Sequence, residues 1–213
     1  MNLRTSNSLM FGMWTTYVAL HELNGEETDV HNEALYKLVV EKSKSIDPSL
    51  DELRVHGLEQ TDSPAVEWLI QNIQIACGSY VGISNTNDIS VKLRGVVLHK
   101  GSHINTHNER SESDLAVAYW CGGRNSQRGE NPNQKGDKVN EPTFVLEDPS
   151  RLISDYRLPN EDRHSVSIQP RPGLLVVFPA HLPHNVHPYL GDKPFVHIVA
   201  QIRLPPNNRN EHD

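Results

Sequence analysis

From residue 89 to residue 203 the chain repeats one pattern: a short apolar run, then a turn signal. The runs fall near 91–99, 103–108, 114–121, 143–147, 165–169, 173–178, 184–188 and 195–203. Short apolar segments bounded by Gly, Pro, Asn and Asp read as strands. Eight of them at this spacing suit a sandwich or a double-sheet jelly roll. Two polar stretches, 122–142 and 150–164, interrupt the series. Loops of that length inside a compact domain are usually functional or mobile.

The first third reads as helical. In "NEALYKLVVEKSKSI" Asn32 stands where a cap would, and Leu35, Leu38, Val39 and Ile46 form one stripe. A second helix is expected from Ser63 as cap and Pro64 in the first turn, through Val66, Leu69, Ile70, Ile73, Cys77 and Tyr80, to a stop at Gly82. Both stripes are single-sided, so each helix should lie on something flat, such as a sheet.

Composition narrows the function classes. A net charge of −7 and a pI near 5.9 argue against a nucleic-acid binder, which needs a basic face. Mean hydropathy is −0.55, and the apolar patch near the N-terminus is too short to span a bilayer. The two cysteines, Cys77 and Cys121, offer no disulfide framework and read as buried free thiols. A cytoplasmic location is expected.

The chemistry concentrates in "HINTHNERSESDLAVAYW" (103–120) and "FPAHLPHNVHP" (178–188). Residues two apart on a strand share a face, so His107 and Glu109 can chelate one ion together. A third ligand must come from another strand, and the second stretch offers His181, His184 and His187. His184 and His187 lie three apart and face opposite ways, so at most one of them joins the site. Two histidines and a carboxylate on one face of an ion leave positions open opposite, the arrangement of non-haem iron oxygenases. No thiolate is near, which disfavours structural zinc.

Four segments in order, "HNERSESDLAVAYW", "PTFVLEDP", "IQPRPGLLVVFPAHLPHNVHP" and "GDKPFVHIVAQI", resemble Fe(II)/2-oxoglutarate-dependent oxygenases, in the branch related to prolyl hydroxylases. The resemblance covers roughly residues 60 to 203. It implies a mainly β fold with N-terminal helices: a double-stranded β-helix (jelly-roll) core of about eight strands with two helices packed on one sheet. A single domain over 1–213 would then divide into an N-terminal strand and supporting helices at 1–88, the catalytic core at 89–204 and a flexible tail at 205–213. The family's metal ligands fall on His107, Glu109 and His184, with Asp114 as a second candidate carboxylate because glutamate replaces the usual aspartate.

The implied cofactors are Fe(II) and the co-substrate 2-oxoglutarate, whose oxidative decarboxylation by dioxygen drives oxidation of an unactivated C–H bond in a small molecule or peptide. Tyr119 matches a tyrosine often near the co-substrate. The arginine that usually holds the far carboxylate of 2-oxoglutarate is missing: Phe195 and His197 stand in its place. Lys193 is the next candidate cation, with Arg203 and His197 as fallbacks. The 122–142 stretch, with four glycines and the cations Arg124, Arg128, Lys135 and Lys138, is expected to cover the substrate side of the iron. The rival reading is a cupin-like jelly-roll protein that binds a small acid or sugar without oxygenase activity.

Overall fold

The computed structural model describes residues 16–50, 52–110, 113–122, 142–149 and 165–206, together with the main chain of 8–13. The eight expected strands are all present: β4 (Ser90–Leu98), β5 (Ile104–His107), β6 (Leu115–Gly122), β7 (Phe144–Glu147), β8 (Ser165–Ile168), β9 (Leu174–Pro179), β10 (His184–Val186) and β11 (Phe195–Arg203). Three more precede them: β1 (Ser8–Met13), β2 (Thr16–Glu22) and β3 (Glu52–His56). Among the described residues two α-helices accompany them: α1 (Glu26–Ser43) between β2 and β3, and α2 (Pro64–Val81) between β3 and β4.

The strands form two antiparallel sheets, a larger one in the order β1-β2-β9-β6-β11-β4-β3 and a smaller one in the order β5-β10-β7-β8. Within β4–β11 the chain passes back and forth between the sheets, which makes a double-stranded β-helix. β3 extends the larger sheet beyond β4, and β2 with β1 extends it beyond β9.

Alternation along β6 shows how the two cores are divided. Leu115, Val117, Tyr119 and Cys121 face the helices, where they meet Leu35, Val39, Leu69 and Ile73. Ala116, Ala118 and Trp120 face the smaller sheet, where they join Phe144, Leu146, Phe178 and Val186. The strand is therefore buried on both faces, each side chain removed from water by one core or the other. Gly95 on β4 lets α1 come close: a Cβ there would sit 2.8 Å from Val39 Cγ1.

α2 begins and ends where expected, with Gly82 in the left-handed region (φ 75°) closing it. Ser63 occupies the N-cap without a side-chain bond; its carbonyl accepts from the Val66 and Glu67 amides instead. α1 corrects the sequence expectation. It starts at Glu26, six residues before Asn32, with Glu26, Glu27 and Asp29 in its first turn, where negative charge favours the positive end of the helix dipole. Asn32 is not a cap but a buried residue of the helix interior. No helix among the described residues is long and apolar enough to cross a membrane.

Candidate metal centre

His107 ends β5 and His184 begins β10, and the two are direct partners across these antiparallel strands. Their rings stand 4.3 Å apart between centroids. Along β10, His184 and Val186 are buried inward while Asn185 turns out to bond Glu147. His187 lies past the strand end, exposed, with its amide bonded to the Thr143 carbonyl. His181 is exposed as well. His184 is thus the histidine of this stretch that reaches the site.

Both imidazoles are oriented through the same device. His107 Nδ1 lies 2.9 Å from the Asn105 carbonyl oxygen, and His184 Nδ1 lies 3.0 Å from that of Leu182. A carbonyl only accepts, so each Nδ1 carries the proton, and Nε2 is the nitrogen left to bind an ion. His184 packs between Phe144 and Phe178, with centroids 5.7 and 5.0 Å away. Burial, followed by the nearby His107, lowers its pKa to about 4, so it stays neutral and ready to ligate at ordinary pH.

Glu109 joins the histidines by a route that strand alternation does not describe. β5 stops at His107, and Glu109 sits in the turn that follows. Its amide donates to the Ala180 carbonyl at 2.9 Å, and the Ala180 amide donates in turn to the Asp114 carbonyl at 3.1 Å. Those bonds tie the segment that carries Glu109 to the one that leads into His184. The Glu109 carboxylate is buried, with Arg94 Nη2 donating to Oε1 and Gln201 Nε2 to Oε2, both at 2.6 Å. His107 Nε2 stands 3.5 Å from Oε1. Burial works against the charge, but His107, Arg94 and Gln201 outweigh it and hold the pKa down at about 2. Asp114 is exposed, with its carboxylate on the Leu204 amide, and is excluded as the ligand.

Among the described residues, His107, Glu109 and His184 form a cluster able to hold a metal, each offering one ligand atom within 4.8 Å of the others. Two imidazoles and an ionised carboxylate brought together suit a divalent transition metal.

The residues expected to hold a co-substrate are placed less uniformly. His197 faces the space between the sheets, beside His107 and His184. Tyr119 does not: it points to the helices, donates its hydroxyl to Asn32 Oδ1 at 2.5 Å and meets Trp68 edge-on. Lys193 is exposed in the turn before β11, and Arg203 is exposed at the far end of that strand. Neither lines the cavity. The 122–142 loop lies outside the described residues apart from its ends.

Two arginines absent from the sequence expectations line the cavity where these cations do not. Arg94 and Arg54 both line the inner cavity with His107, His184 and His197. In "SVKLRGVVL" the inward positions are Lys92, Arg94, Val96 and Leu98, so parity alone marks Arg94 as a charge aimed between the sheets. The inner space is narrow, about 10 Å³, roughly one water. It adjoins a cleft of about 250 Å³ lined by Glu52, Arg54, His103, Asn105, Thr106 and His107.

No family model and no curated protein matches the sequence. Solved structures do match the fold. A prolyl-4-hydroxylase from Pseudomonas putida superposes with a TM-score of 0.59 at 11% identity, over 88% of this chain and 92% of that one. The epimerase SnoN, solved with Fe3+, alpha ketoglutarate and nogalamycin RO, gives 0.57 at 12% identity over 86% of this chain and 78% of that one. HygX from Streptomyces hygroscopicus, solved with nickel and 2-oxoglutarate, gives 0.54 at 12% identity over 85% and 82%. At such identities the likeness is one of fold.

Proposed function

We propose that this chain is a non-haem Fe(II)/2-oxoglutarate-dependent dioxygenase that hydroxylates, or otherwise oxidises, an unactivated C–H bond of a small molecule or peptidyl side chain. The observation that carries the reading is the convergence of His107 Nε2, His184 Nε2 and the Glu109 carboxylate on one point of a jelly roll. Solved proteins of this fold carry iron or nickel with the same keto acid.

His107, His184 and Glu109 would hold the iron. Bound there, iron supplies the oxidation chemistry: one oxygen atom of dioxygen ends in succinate as carbon dioxide leaves 2-oxoglutarate, and the other ends in the oxidised substrate. The chain's own contribution is orientation and charge. The carbonyls of Asn105 and Leu182 fix the imidazoles with Nε2 toward the ion. Arg94 and Gln201 hold Glu109 ionised and in place. Phe144, Phe178 and Val186 keep the inner wall dry, which limits loss of reactive species to water. The location would be the cytoplasm.

Anaerobic addition of Fe(II) and then 2-oxoglutarate tests the assignment. A weak visible charge-transfer band, absent from His184→Ala protein, is the expected result. A cupin-like binding protein would take up metal without the band, and that outcome refutes the oxygenase assignment.

A further inference from the structure

The far carboxylate of a dicarboxylic keto acid needs a cation, because a buried anion without a partner is costly. Lys193 and Arg203 are exposed and outside the cavity. His197, at the expected position on β11, is deeply buried between the sheets, where its ring can supply a hydrogen bond.

The neighbouring strands carry the charge instead. Arg54 on β3 is the register partner of Val96, and Val96 is the partner of His197, so these three cross the inner face of the larger sheet in one row. Arg94 sits one row along on β4, opposite His56 of β3. Four polar atoms on this wall are buried without a hydrogen-bond partner among the described residues: the donors Arg94 Nε and Trp120 Nε1, together with His197 Nδ1 and Glu52 Oε2. An unpaired N–H on a buried guanidinium is expensive to leave unmade, and a ligand oxygen would satisfy it.

Charge balance points the same way. As it stands the wall is neutral, with Arg54 paired to Glu52 and Arg94 to Glu109. A divalent ion on Glu109 adds two positive charges, and a doubly charged keto acid removes them. The inner space is too narrow for the whole molecule, so its bulk belongs in the adjoining cleft, with Arg54 at the junction of the two.

Resting on the oxygenase assignment above, we propose that Arg94 and Arg54, from β4 and β3, together anchor the far carboxylate of the co-substrate, in place of a cation from β11. The test compares two keto acids on the Fe(II)-loaded protein under anaerobic conditions: 2-oxoglutarate, and 2-oxobutyrate, which chelates metal alike but lacks the far carboxylate. The readout is the ratio of their affinities from the visible band, so damage to the metal site cancels. Arg94→Gln and Arg54→Gln should each lower the ratio of 2-oxoglutarate affinity to 2-oxobutyrate affinity at least tenfold. Lys193→Ala and Arg203→Ala should leave the ratio unchanged. Arg94→Lys and Arg54→Lys, which keep the charge and guard against misfolding, should lose less than the glutamine variants. The two-arginine anchor is overturned if either glutamine variant keeps the parental ratio, or if Lys193→Ala or Arg203→Ala lowers it. A protein that gives no band with either acid would instead strike at the oxygenase assignment itself, and the anchor would fall with it.

Discussion

Tyr119 offers the sharpest separation between an inherited expectation and what this fold does with the residue. Its ring is fully buried on the helix side of β6, and its hydroxyl donates to Asn32, itself 5% exposed, at 2.5 Å. Burial keeps the phenol pKa well above its ordinary value, so the group is a neutral donor. Tyr119→Phe removes one oxygen and keeps the ring against Trp68, so no cavity larger than that atom forms. What is lost is the donor to a carbonyl oxygen that water does not reach. A buried polar group left unsatisfied costs about 1–3 kcal/mol. In a domain of this size each kcal/mol moves the thermal midpoint by about 2–4 °C, so a fall of roughly 4–8 °C follows from a mid-range cost near 2 kcal/mol. Calorimetry and urea unfolding of the metal-free protein would measure it. The affinity for 2-oxoglutarate should not change. An unaltered midpoint together with weakened 2-oxoglutarate binding would refute this reasoning and restore Tyr119 to the co-substrate pocket.

Other expectations follow from the same geometry. His184→Ala should abolish stoichiometric Fe(II) binding, measured by metal analysis after gel filtration, while His187→Ala and Asp114→Ala keep it; loss in either control would show that the ligand register is wrong. Gly95→Ala should cost about 1–3 kcal/mol in urea unfolding, because its Cβ meets both Val39 methyl groups at 2.8 and 2.9 Å and α1 must move away. His184 and His197 have folded pKa values of about 4 and about 3, below that of an unfolded histidine, so between those values and about 6.5 only the unfolded chain takes up their protons. The metal-free protein should therefore lose stability as pH falls from 7 to 5, by roughly 1.4 kcal/mol per pH unit per group below pH 6.5. His197→Gln should flatten that slope, and a parallel slope would contradict the buried, neutral His197.

Much of this was legible in the sequence, for physical reasons that can be named. β4 to β11 are short apolar runs between turn residues, and such runs have few alternatives to a strand. The start of α1 was hidden because "EETDVHN" carries almost no apolar residue to mark a buried face. His107 stood out at a strand end, whereas spacing left His184 and His187 as alternatives and the family resemblance chose His184. Glu109 was reached for a partly wrong reason, since a turn bonded to Ala180, and not alternation, brings it to the histidines. Tyr119 was misplaced because β6 is buried on both faces, and a strand without a polar side gives no sign of which residues look toward the cavity. Arg54 was overlooked because no strand was expected at 52–56, and Arg94 because the 91–99 strand was taken for its apolar residues, when the charge at an inward position was the informative feature.

The main-chain bonds between Glu109, Ala180 and Asp114 have a consequence for how the protein acquires its metal. All of them join protein atoms, so the main chain that carries Glu109 does not need an ion to hold its shape. A ready-made set of two imidazoles and a carboxylate takes nickel or copper more tightly than ferrous iron. The supply of ions around the protein then bears on which element fills the site.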